Sequence, residues 1–193
     1  MKILVLHLSL LFLSFSINAK QVFLGPSNNS QEEIQEALID LEPGDILTLK
    51  PGEYFFEDGL SLDIDDVIFE GSGIDETILN FENQMSGAQG LLVTSNGVTI
   101  RDFAVLDAKG DAIKVIGADG IKMIRLRTEW TGGPKETNGA YGFYPVESKD
   151  VLIDGCVAIG ASDAGIYVGQ SQNIIVKNSI AQYNVAGIEI ENS

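Results

Sequence analysis

The sequence predicts an all-β fold, a right-handed single-stranded parallel β-helix. Three segments that begin at Gly142, Gly165 and Gly187 align with one another, at spacings of 23 and then 22 residues. A repeat of this length is typical of solenoids, in which one small unit stacks on the next. The segments consist of short alternating β-branched runs separated by Gly, Asn, Asp and Ser, without a helical pattern between them. Each repeat therefore corresponds to one coil of a parallel β-helix.

Residues 1–19 have the features of a secretory signal peptide. Lys2 supplies a positive charge, residues 3–15 form a short apolar run, and Ile-Asn-Ala at 17–19 offers a cleavage site. The apolar run is too short to cross a bilayer, and no later stretch reaches the roughly 18 to 20 apolar residues that a membrane helix needs. We therefore expect an exported protein, periplasmic, on the cell surface or extracellular, without a membrane span.

The composition excludes several classes of function. The only histidine, His7, lies in the predicted signal peptide, so the mature chain cannot form a Ser-His-Asp triad or a His-ligated metal site. The only cysteine, Cys156, aligns with Ser179 in the next repeat, and we expect it to be a buried, inert thiol. The net charge of −16 argues against nucleic acid or an anionic membrane as a partner.

One amphipathic helix is expected in the N-terminal segment, which spans residues 20–42. Ser30 and Glu33 have the spacing of a capping box, Ile34 and Leu38 share one face of a helix over 30–41, and the sequence Pro-Gly at 43–44 ends it. A solenoid exposes its apolar core and unpaired strand edges at its ends, so a terminal cap is needed. We expect this helix to cap the first coil.

The coils are expected over residues 43–193. Strands are predicted at 45–49, 60–64, 67–70, 77–81, 98–100, 113–115 and 121–123, followed by the three aligned segments. The alignment predicts two interior columns of side chains: Ile113, Phe143, Ile166 and Ile188 in one, and Met123, Ile153 and Val176 in the other. The last strand, at 188–193, has no second or third strand after it. We therefore expect the β-helix to be incomplete at the C-terminus.

One coil is longer than the next. Ile113 and Phe143 are 30 residues apart, against 23 for the following coil, so about 7 residues must leave the stack. These extra residues fall in the segment 129–138, which contains Trp130 and Lys135. Insertions in solenoids usually decorate one face, often the binding face. We expect Trp130 and Lys135 to form a wall beside the outer surface of the coils.

Four motifs in the second half of the chain are distinctive. They are Glu-Trp-Thr-Gly-Gly-Pro at 129–134, Asn-Gly-Ala-Tyr-Gly at 138–142, Ala-Ser-Asp-Ala-Gly-Ile-Tyr-Val-Gly-Gln-Ser at 161–171 and Asn-Val-Ala-Gly-Ile-Glu-Ile-Glu-Asn-Ser at 184–193. With the rest of residues 30–193, they resemble the exported parallel β-helix repeat-containing proteins of the pectin-lyase-like right-handed β-helix superfamily. Members of this family continue past the equivalent of Ser193. They are often encoded beside a second exported protein, so the resemblance also implies a protein partner.

Functional residues of a β-helix must point outward, because the inside of the coils is packed. The outward column beside the first interior column consists of Lys114, Tyr144, Tyr167 and Glu189, spaced about 4.8 Å apart. Two adjacent tyrosines between a cation and a carboxylate would suit a sugar ring. Stacked tyrosines on a sheet surface also stabilise neighbouring strands without any ligand, and this alternative stays open.

Two non-catalytic functions are consistent with this surface. The first is carbohydrate or polysaccharide binding, with Trp130, Tyr144 and Tyr167 as the substrate-binding residues. The second is a scaffold that docks a second exported protein, since an aromatic patch is also typical of a protein interface. The sequence does not decide between these two functions, and carbohydrate binding is our main prediction.

An enzyme is the third interpretation. A polysaccharide lyase acting on uronic-acid polymers needs a base, for which Lys114 and Lys135 are the candidates, and a cation to neutralise the substrate carboxylate. A glycosidase needs two carboxylates, for which Asp163 and Glu189 are the candidate pair. Calcium could supply the cation, but the acidic run at 63–66 lacks the spacing of an EF-hand loop. No metal-ligand set is therefore assigned.

Overall fold

The computed structural model describes residues 19–193, and the predicted signal peptide lies outside this range except for Ala19. The first half of the described chain contains one helix and nine strands: β1 (Gln21–Leu24), α1 (Ser30–Ile39), β2 (Ile46–Leu49), β3 (Gly52–Phe55), β4 (Leu60–Leu62), β5 (Ile68–Glu70), β6 (Thr77–Asn80), β7 (Gln89–Val93), β8 (Thr99–Arg101) and β9 (Ala104–Leu106). The second half contains ten strands: β10 (Asp111–Ile116), β11 (Lys122–Ile124), β12 (Arg127–Glu129), β13 (Phe143–Val146), β14 (Lys149–Asp154), β15 (Val157–Ile159), β16 (Ala164–Gly169), β17 (Gln172–Lys177), β18 (Ile180–Gln182) and β19 (Ala186–Glu191).

The strands form three parallel sheets that run along the solenoid. The first sheet has the order β1-β2-β5-β8-β11-β14-β17, the second β3-β6-β9-β12-β15-β18 and the third β4-β7-β10-β13-β16-β19. From β4 onward the chain visits the third, first and second sheets in turn, so each strand pairs with the one three places later. This is an all-parallel β-solenoid of about seven turns, and the predicted fold class is confirmed.

Helix α1 covers the N-terminal end of the coils. It lies between β1 and β2, both in the first sheet, and contacts β3 and β4, the first strands of the other two sheets. Ile34 and Leu38 are buried against the core, which confirms the predicted apolar face. No strand is predicted before residue 45, yet β1 pairs with β2 in parallel.

The start of α1 differs from the predicted capping box. The N-cap position is Asn29, which makes no side-chain capping bond, and Ser30 is the first helical residue. The Ser27 hydroxyl donates to the Glu33 carboxylate at 2.9 Å, and the Ser30 hydroxyl donates to the Ser27 carbonyl oxygen. The predicted capping box of Ser30 and Glu33 is therefore wrong, and Glu33 bonds to the Ser27 side chain instead.

Both predicted interior columns are present in the sheet register. In the third sheet, Ile113 pairs with Phe143, Phe143 with Ile166, and Ile166 with Ile188. In the first sheet, Met123 pairs with Ile153 and Ile153 with Val176. The five column members that are fully buried each contribute about 1.5–3 kcal/mol: Ile113, Phe143, Ile166, Met123 and Ile153. Ile188 is 49% exposed and Val176 is partly exposed, since β19 and β17 are edge strands of their sheets. These columns therefore hold the coils in register and fix which side chains point outward.

Cys156 lies inside the coils, where its repeat alignment with Ser179 placed it. The Ser179 hydroxyl accepts a hydrogen bond from the Cys156 backbone N–H at 3.2 Å, so the two positions are stacked neighbours. The side chain is fully buried, and this burial raises the pKa of the Cys156 thiol to about 11. Since the thiolate is the reactive form, the thiol is inert at neutral pH.

The tight corner between the first and second sheets is two residues long, and its first residue has a left-handed backbone conformation. Four residues occupy this first position in successive coils: Asp102, Arg125, Gly155 and Asn178. Their φ angles are all positive, between 48° and 66°. Side chains at this corner bond along the stack: the Arg125 Nε donates to the Asp102 carboxylate at 2.6 Å, and the Asn178 amide donates to the Asp154 carboxylate at 2.9 Å. Corner residues therefore have a structural role.

Candidate functional site

The predicted outward column lies on the third sheet. Lys114 pairs with Tyr144 across β10 and β13, and Tyr167 pairs with Glu189 across β16 and β19. The rings of Tyr144 and Tyr167 meet edge to face, with their centroids 5.2 Å apart. The four side chains are therefore brought together in the order that the repeat alignment predicts.

A third tyrosine, not identified from the sequence, completes the site. Tyr141 lies just before β13, and its ring is stacked on that of Tyr167 with a centroid distance of 4.6 Å. It also packs against Tyr144 at 4.7 Å. We call Tyr141, Tyr144 and Tyr167 the tyrosine face. All three are partly buried, so each side chain keeps some exposure to solvent.

Charged side chains border the tyrosine face along the column. On the side of β10, the Lys114 ammonium lies 4.7 Å from the centroid of the Tyr144 ring, the geometry of a cation–π contact. On the side of β19, the Tyr167 hydroxyl donates a hydrogen bond to the Glu191 carboxylate. Glu189, two residues earlier on β19, is half-buried next to Tyr167.

Two aspartates border the face at the starts of the strands. Asp111 begins β10 and is half-buried, and this loss of hydration raises the pKa of its carboxyl group, although Lys114 and the Tyr141 backbone N–H act in the opposite direction. Asp163 immediately precedes β16 and is close enough to Tyr141 to raise the pKa of that phenol. Nothing in the sequence indicated that Asp111 would be desolvated.

The phenols of the tyrosine face hold their protons tightly. Burial, reinforced by Asp163, raises the pKa of Tyr141 to about 12. Burial also raises the pKa of Tyr144, and the hydrogen bond to Glu191 raises that of Tyr167. At neutral pH the three hydroxyls are therefore uncharged hydrogen-bonding groups, and the negative charge of the site comes from carboxylates.

Trp130 is not part of this exposed surface, and its predicted position in an exposed wall is wrong. Its side chain is 4% exposed and belongs to the core, where the indole N–H donates to the Ala108 carbonyl oxygen at 2.7 Å. The indole also lies close to Gly139, where an added Cβ would approach it to 2.7 Å. The residue anchors the start of the insertion instead of presenting its ring to a ligand.

Lys135 also lies on the insertion, but on a different surface from the tyrosine face. It lines a cleft of about 340 Å³ with Pro134, Ser162, Tyr183 and Asn184, on the turns that lead from the second sheet to the third. Lys114, by contrast, contacts the tyrosine face. The two candidate bases therefore belong to different surfaces, and only Lys114 adjoins the aromatic residues of the predicted site.

The candidate carboxylate pair is widely spaced along the strands. Ala164 pairs with Ala186 and Tyr167 with Glu189, so Asp163 and Glu189 are offset by four positions in adjacent strands. At about 3.3 Å per residue this offset is roughly 13 Å between Cα atoms. Glycosidase carboxyl groups lie about 5 to 9.5 Å apart. The backbone geometry does not favour this pair.

The acidic run at 63–66 bonds to the next coil. Asp63 accepts a hydrogen bond from the Thr94 hydroxyl at 2.8 Å, and Asp65 accepts one from the Asn96 backbone N–H at 2.7 Å. In the described range 19–193, no group of three or more His, Cys, Asp or Glu side chains is arranged to hold a metal ion. None of the helical segments in that same range is both long and apolar enough to cross a membrane.

Solved structures share this fold at low sequence identity. The catalytic domain of a GH87 α-1,3-glucanase in complex with tetrasaccharides matches with a TM-score of 0.70 and 17% identity, over 90% of this chain and 31% of that one. A PL6 family alginate lyase matches with a TM-score of 0.56 and 14% identity, over 93% and 29%. An alginate lyase from Paenibacillus sp. str. FPU-7 matches with a TM-score of 0.54 and 15% identity, over 90% and 65%.

The chain therefore spans less than a third of two of these proteins and about two thirds of the other. No curated protein matches it by sequence. A family model described as a right-handed β-helix region matches residues 65–193, which is most of the chain and includes the whole tyrosine face. This match agrees with the superfamily that the sequence motifs resemble, and the chain belongs to the right-handed β-helix family.

Proposed function

We propose that this protein binds carbohydrate on the outer surface of its third sheet, with the tyrosine face at the centre of the site. The observation that carries the proposal is the packing of Tyr141, Tyr144 and Tyr167, whose centroids lie 4.6–5.2 Å apart on an outward surface. Sugar rings have apolar C–H faces and a rim of hydroxyls. An aromatic surface bordered by hydrogen-bonding groups complements both.

The surrounding side chains would orient the sugar. The Lys114 ammonium can donate to hydroxyl oxygens, and the carboxylates of Asp111 and Glu189 can accept from hydroxyl groups. Three proteins of the same fold are named as a glucanase or as alginate lyases, which supports a carbohydrate ligand here. The shared fold does not by itself identify a binding site. The proposed site is assigned from this chain's own residues.

We further propose that the protein is exported through residues 1–19, on the evidence of the charged start, the short apolar run and the cleavage sequence. An exported β-helix would meet polysaccharides outside the cytoplasm. Secretion of a reporter fused to residues 1–19 tests this part of the proposal. Retention of the reporter inside the cell would contradict it.

The proposed function is tested by binding of the mature protein to a panel of glycans, compared with the variant Tyr144→Ala. Removing the central ring should weaken binding by about 5- to 30-fold, since an aromatic contact of this kind is worth about 1–2 kcal/mol. Tyr183→Ala is the matched control, because Tyr183 is an exposed tyrosine that lines the Lys135 cleft instead. Equal losses in both variants would contradict a site at the tyrosine face.

The same panel separates the remaining functions. Ultraviolet absorbance from unsaturated uronate products would establish lyase activity, and its loss in Lys114→Met but not in Lys135→Met would identify the base. No retention of any glycan, with or without calcium, would overturn carbohydrate binding. The tyrosine face would then favour a docking surface for a second exported protein.

A further inference from the structure

The charge around the tyrosine face indicates which class of glycan fits it. We propose that this site binds amino-sugar glycans, polymers that carry free protonated amino groups, in preference to uronic-acid polymers. This inference rests on the proposed carbohydrate function and specifies its ligand. It is carried by the unpaired carboxylates that border the aromatic rings.

Carboxylates border the tyrosine face on several sides. Within the described residues 19–193, none of the following four has a basic group within salt-bridge distance: Asp111, Glu147, Asp163 and Glu189. Asp111, Glu147 and Glu191 each act on the charge state of Tyr144, which places them within electrostatic reach of the ring. The cation in contact with the face is Lys114, and it lies over the Tyr144 ring.

Carboxylates on the first sheet have a different environment. Glu70 receives two hydrogen bonds from the Arg101 guanidinium, at 2.9 and 2.5 Å. Asp102 is paired with Arg125 at 2.6 Å, and Asp154 with Lys177 at 3.3 Å. The same chain therefore neutralises its outward carboxylates on one sheet and leaves them unpaired around the aromatic residues on another. A ligand cation would supply the missing partner.

The Lys114 contact shows how an ammonium group is received at this surface. Its Nζ lies 4.7 Å from the centroid of the Tyr144 ring, so one ring already binds a cation on its face. Ring faces attract ammonium groups, and nearby carboxylates add to that attraction. The protonated amino group of a sugar combines with an apolar ring face in one unit, which matches a tyrosine ring beside a carboxylate.

Two further observations favour a cationic ligand. Burial raises the pKa of Asp111, which means that its charge is poorly stabilised in the unliganded protein, and a bound ammonium would compensate for the lost hydration. The net charge of −16 also attracts polycations over long distances and repels polyuronates. A uronic-acid polymer would place its carboxylates beside Asp111, Glu189 and Glu191.

The test compares three oligosaccharides of equal length by titration calorimetry. They are an oligomer of glucosamine, its fully N-acetylated counterpart and an oligogalacturonate, at a pH that keeps the amines protonated. We expect the amino oligomer to bind about tenfold or more tightly than the N-acetylated one, and binding to weaken with added salt. We expect no binding of the oligogalacturonate, with or without calcium.

Charge-neutralising variants identify the carboxylates that are responsible. Asp111→Asn and Glu191→Gln keep the size of the side chain and one acceptor oxygen but remove the charge, and each should weaken binding of the amino oligomer by about threefold to tenfold. The control is Glu36→Gln, which removes one charge from an exposed position on α1, outside the site. An unchanged unfolding midpoint shows that each variant is folded.

The outcomes separate this inference from the proposed function. Equal binding of the amino and N-acetylated oligomers, lost in Tyr144→Ala, would overturn the charge preference while upholding carbohydrate binding. Tighter binding of the oligogalacturonate would overturn it in the same way. No binding of any of the three would overturn this inference, and carbohydrate binding itself would then be decided by the glycan panel.

Discussion

At the scale of single residues, aromatic side chains close together in sequence have opposite roles. Trp130 points into the core, where the Ala108 carbonyl satisfies its N–H, whereas Tyr141 points outward and stacks on Tyr167. Both arrangements leave the polar group of the side chain with a hydrogen-bond partner. An indole has one donor that a buried carbonyl can satisfy, while each phenol of the tyrosine face keeps access to solvent, to Asp163 or to Glu191.

The first prediction concerns Trp130. Trp130→Phe removes the indole N–H, leaves the Ala108 carbonyl without this donor and opens a small void, so we expect a loss of about 1–3 kcal/mol in the free energy of unfolding. Trp130→Ala should cost about 3–5 kcal/mol. Urea denaturation measures both. Tyr183→Phe, at an exposed site, is the control and should change the midpoint little. A wild-type midpoint in Trp130→Ala would contradict the buried role.

The second prediction concerns pH and the phenols. Burial raises the pKa of Tyr141 to about 12, above the ordinary value of 10.0. A phenol whose pKa is raised on folding stabilises the native state fully below the unfolded pKa, and that contribution is lost as the pH rises through the folded pKa. We therefore expect stability to decline between about pH 10 and pH 12.

Urea midpoints measured across this pH range test the second prediction, with phenolate absorbance as an independent signal. Tyr141→Phe should flatten the decline, because it removes one of the contributing groups. Tyr54→Phe should do so as well, since burial raises the pKa of Tyr54 to about 12 in the core, away from the third sheet. An identical decline in all three proteins would show that other groups govern the alkaline limit.

At the scale of elements, α1 ends the sheets at the N-terminus by a hydrogen-bonded contact. The Gln35 side-chain amide donates to the Ser61 carbonyl oxygen at 3.0 Å and accepts from the Ser61 backbone N–H at 2.9 Å. Ser61 lies in β4, the edge strand of the third sheet. One glutamine therefore satisfies both backbone groups of an edge residue, as a neighbouring strand would.

The third prediction follows from this contact. Gln35→Ala should lower the free energy of unfolding by about 1–2 kcal/mol, because two partly exposed hydrogen bonds are lost. Glu36→Ala is the control, since the neighbouring side chain is exposed and Ala favours a helix. The outcome that would contradict a capping role is an equal effect of the two substitutions in urea denaturation.

Element boundaries also show what the sequence could predict. The alternating runs located β10, β11, β13 and β14, where several inward side chains recur at the repeat spacing. The second sheet was mostly missed, because β9 (Ala-Val-Leu) is buried throughout and β12 (Arg-Thr-Glu) has no apolar residue, so neither shows an alternating pattern. The helix was found from its apolar face, but Gln35 could not be identified because its partner is 26 residues away.

The candidate site was predicted where the repeat is regular and missed where it is broken. Tyr144 and Tyr167 occupy equivalent positions in consecutive coils, so alignment alone places them together. Tyr141 lies at the end of the insertion, where the period gives no register, and Trp130 lies at its start. Whether such a residue points inward depends on the acceptor offered by the preceding coil, which is the Ala108 carbonyl here.

At the scale of the whole molecule, two opposing effects set the electrostatic contribution to the free energy of folding. The net charge of −16 gives long-range repulsion that disfavours the compact state. Contacts such as Glu70–Arg101 and Asp102–Arg125 oppose it, at 2.5 and 2.6 Å. Each exposed pair contributes only about 0–1 kcal/mol. Salt acts differently on the two effects because they extend over different distances.

The fourth prediction uses this difference in range. Raising the salt concentration from about 0.01 M to 0.1 M shortens the Debye length from about 30 Å to about 10 Å, which removes repulsion across the molecule but hardly affects pairs in direct contact. We therefore expect the urea midpoint at pH 7 to rise with salt. Near pH 4.2, the isoelectric point of the sequence, the net charge vanishes and the rise should disappear. A midpoint that falls with salt at pH 7 would mean that the ion pairs along the coils, and not the excess of carboxylates, dominate the electrostatic free energy of folding.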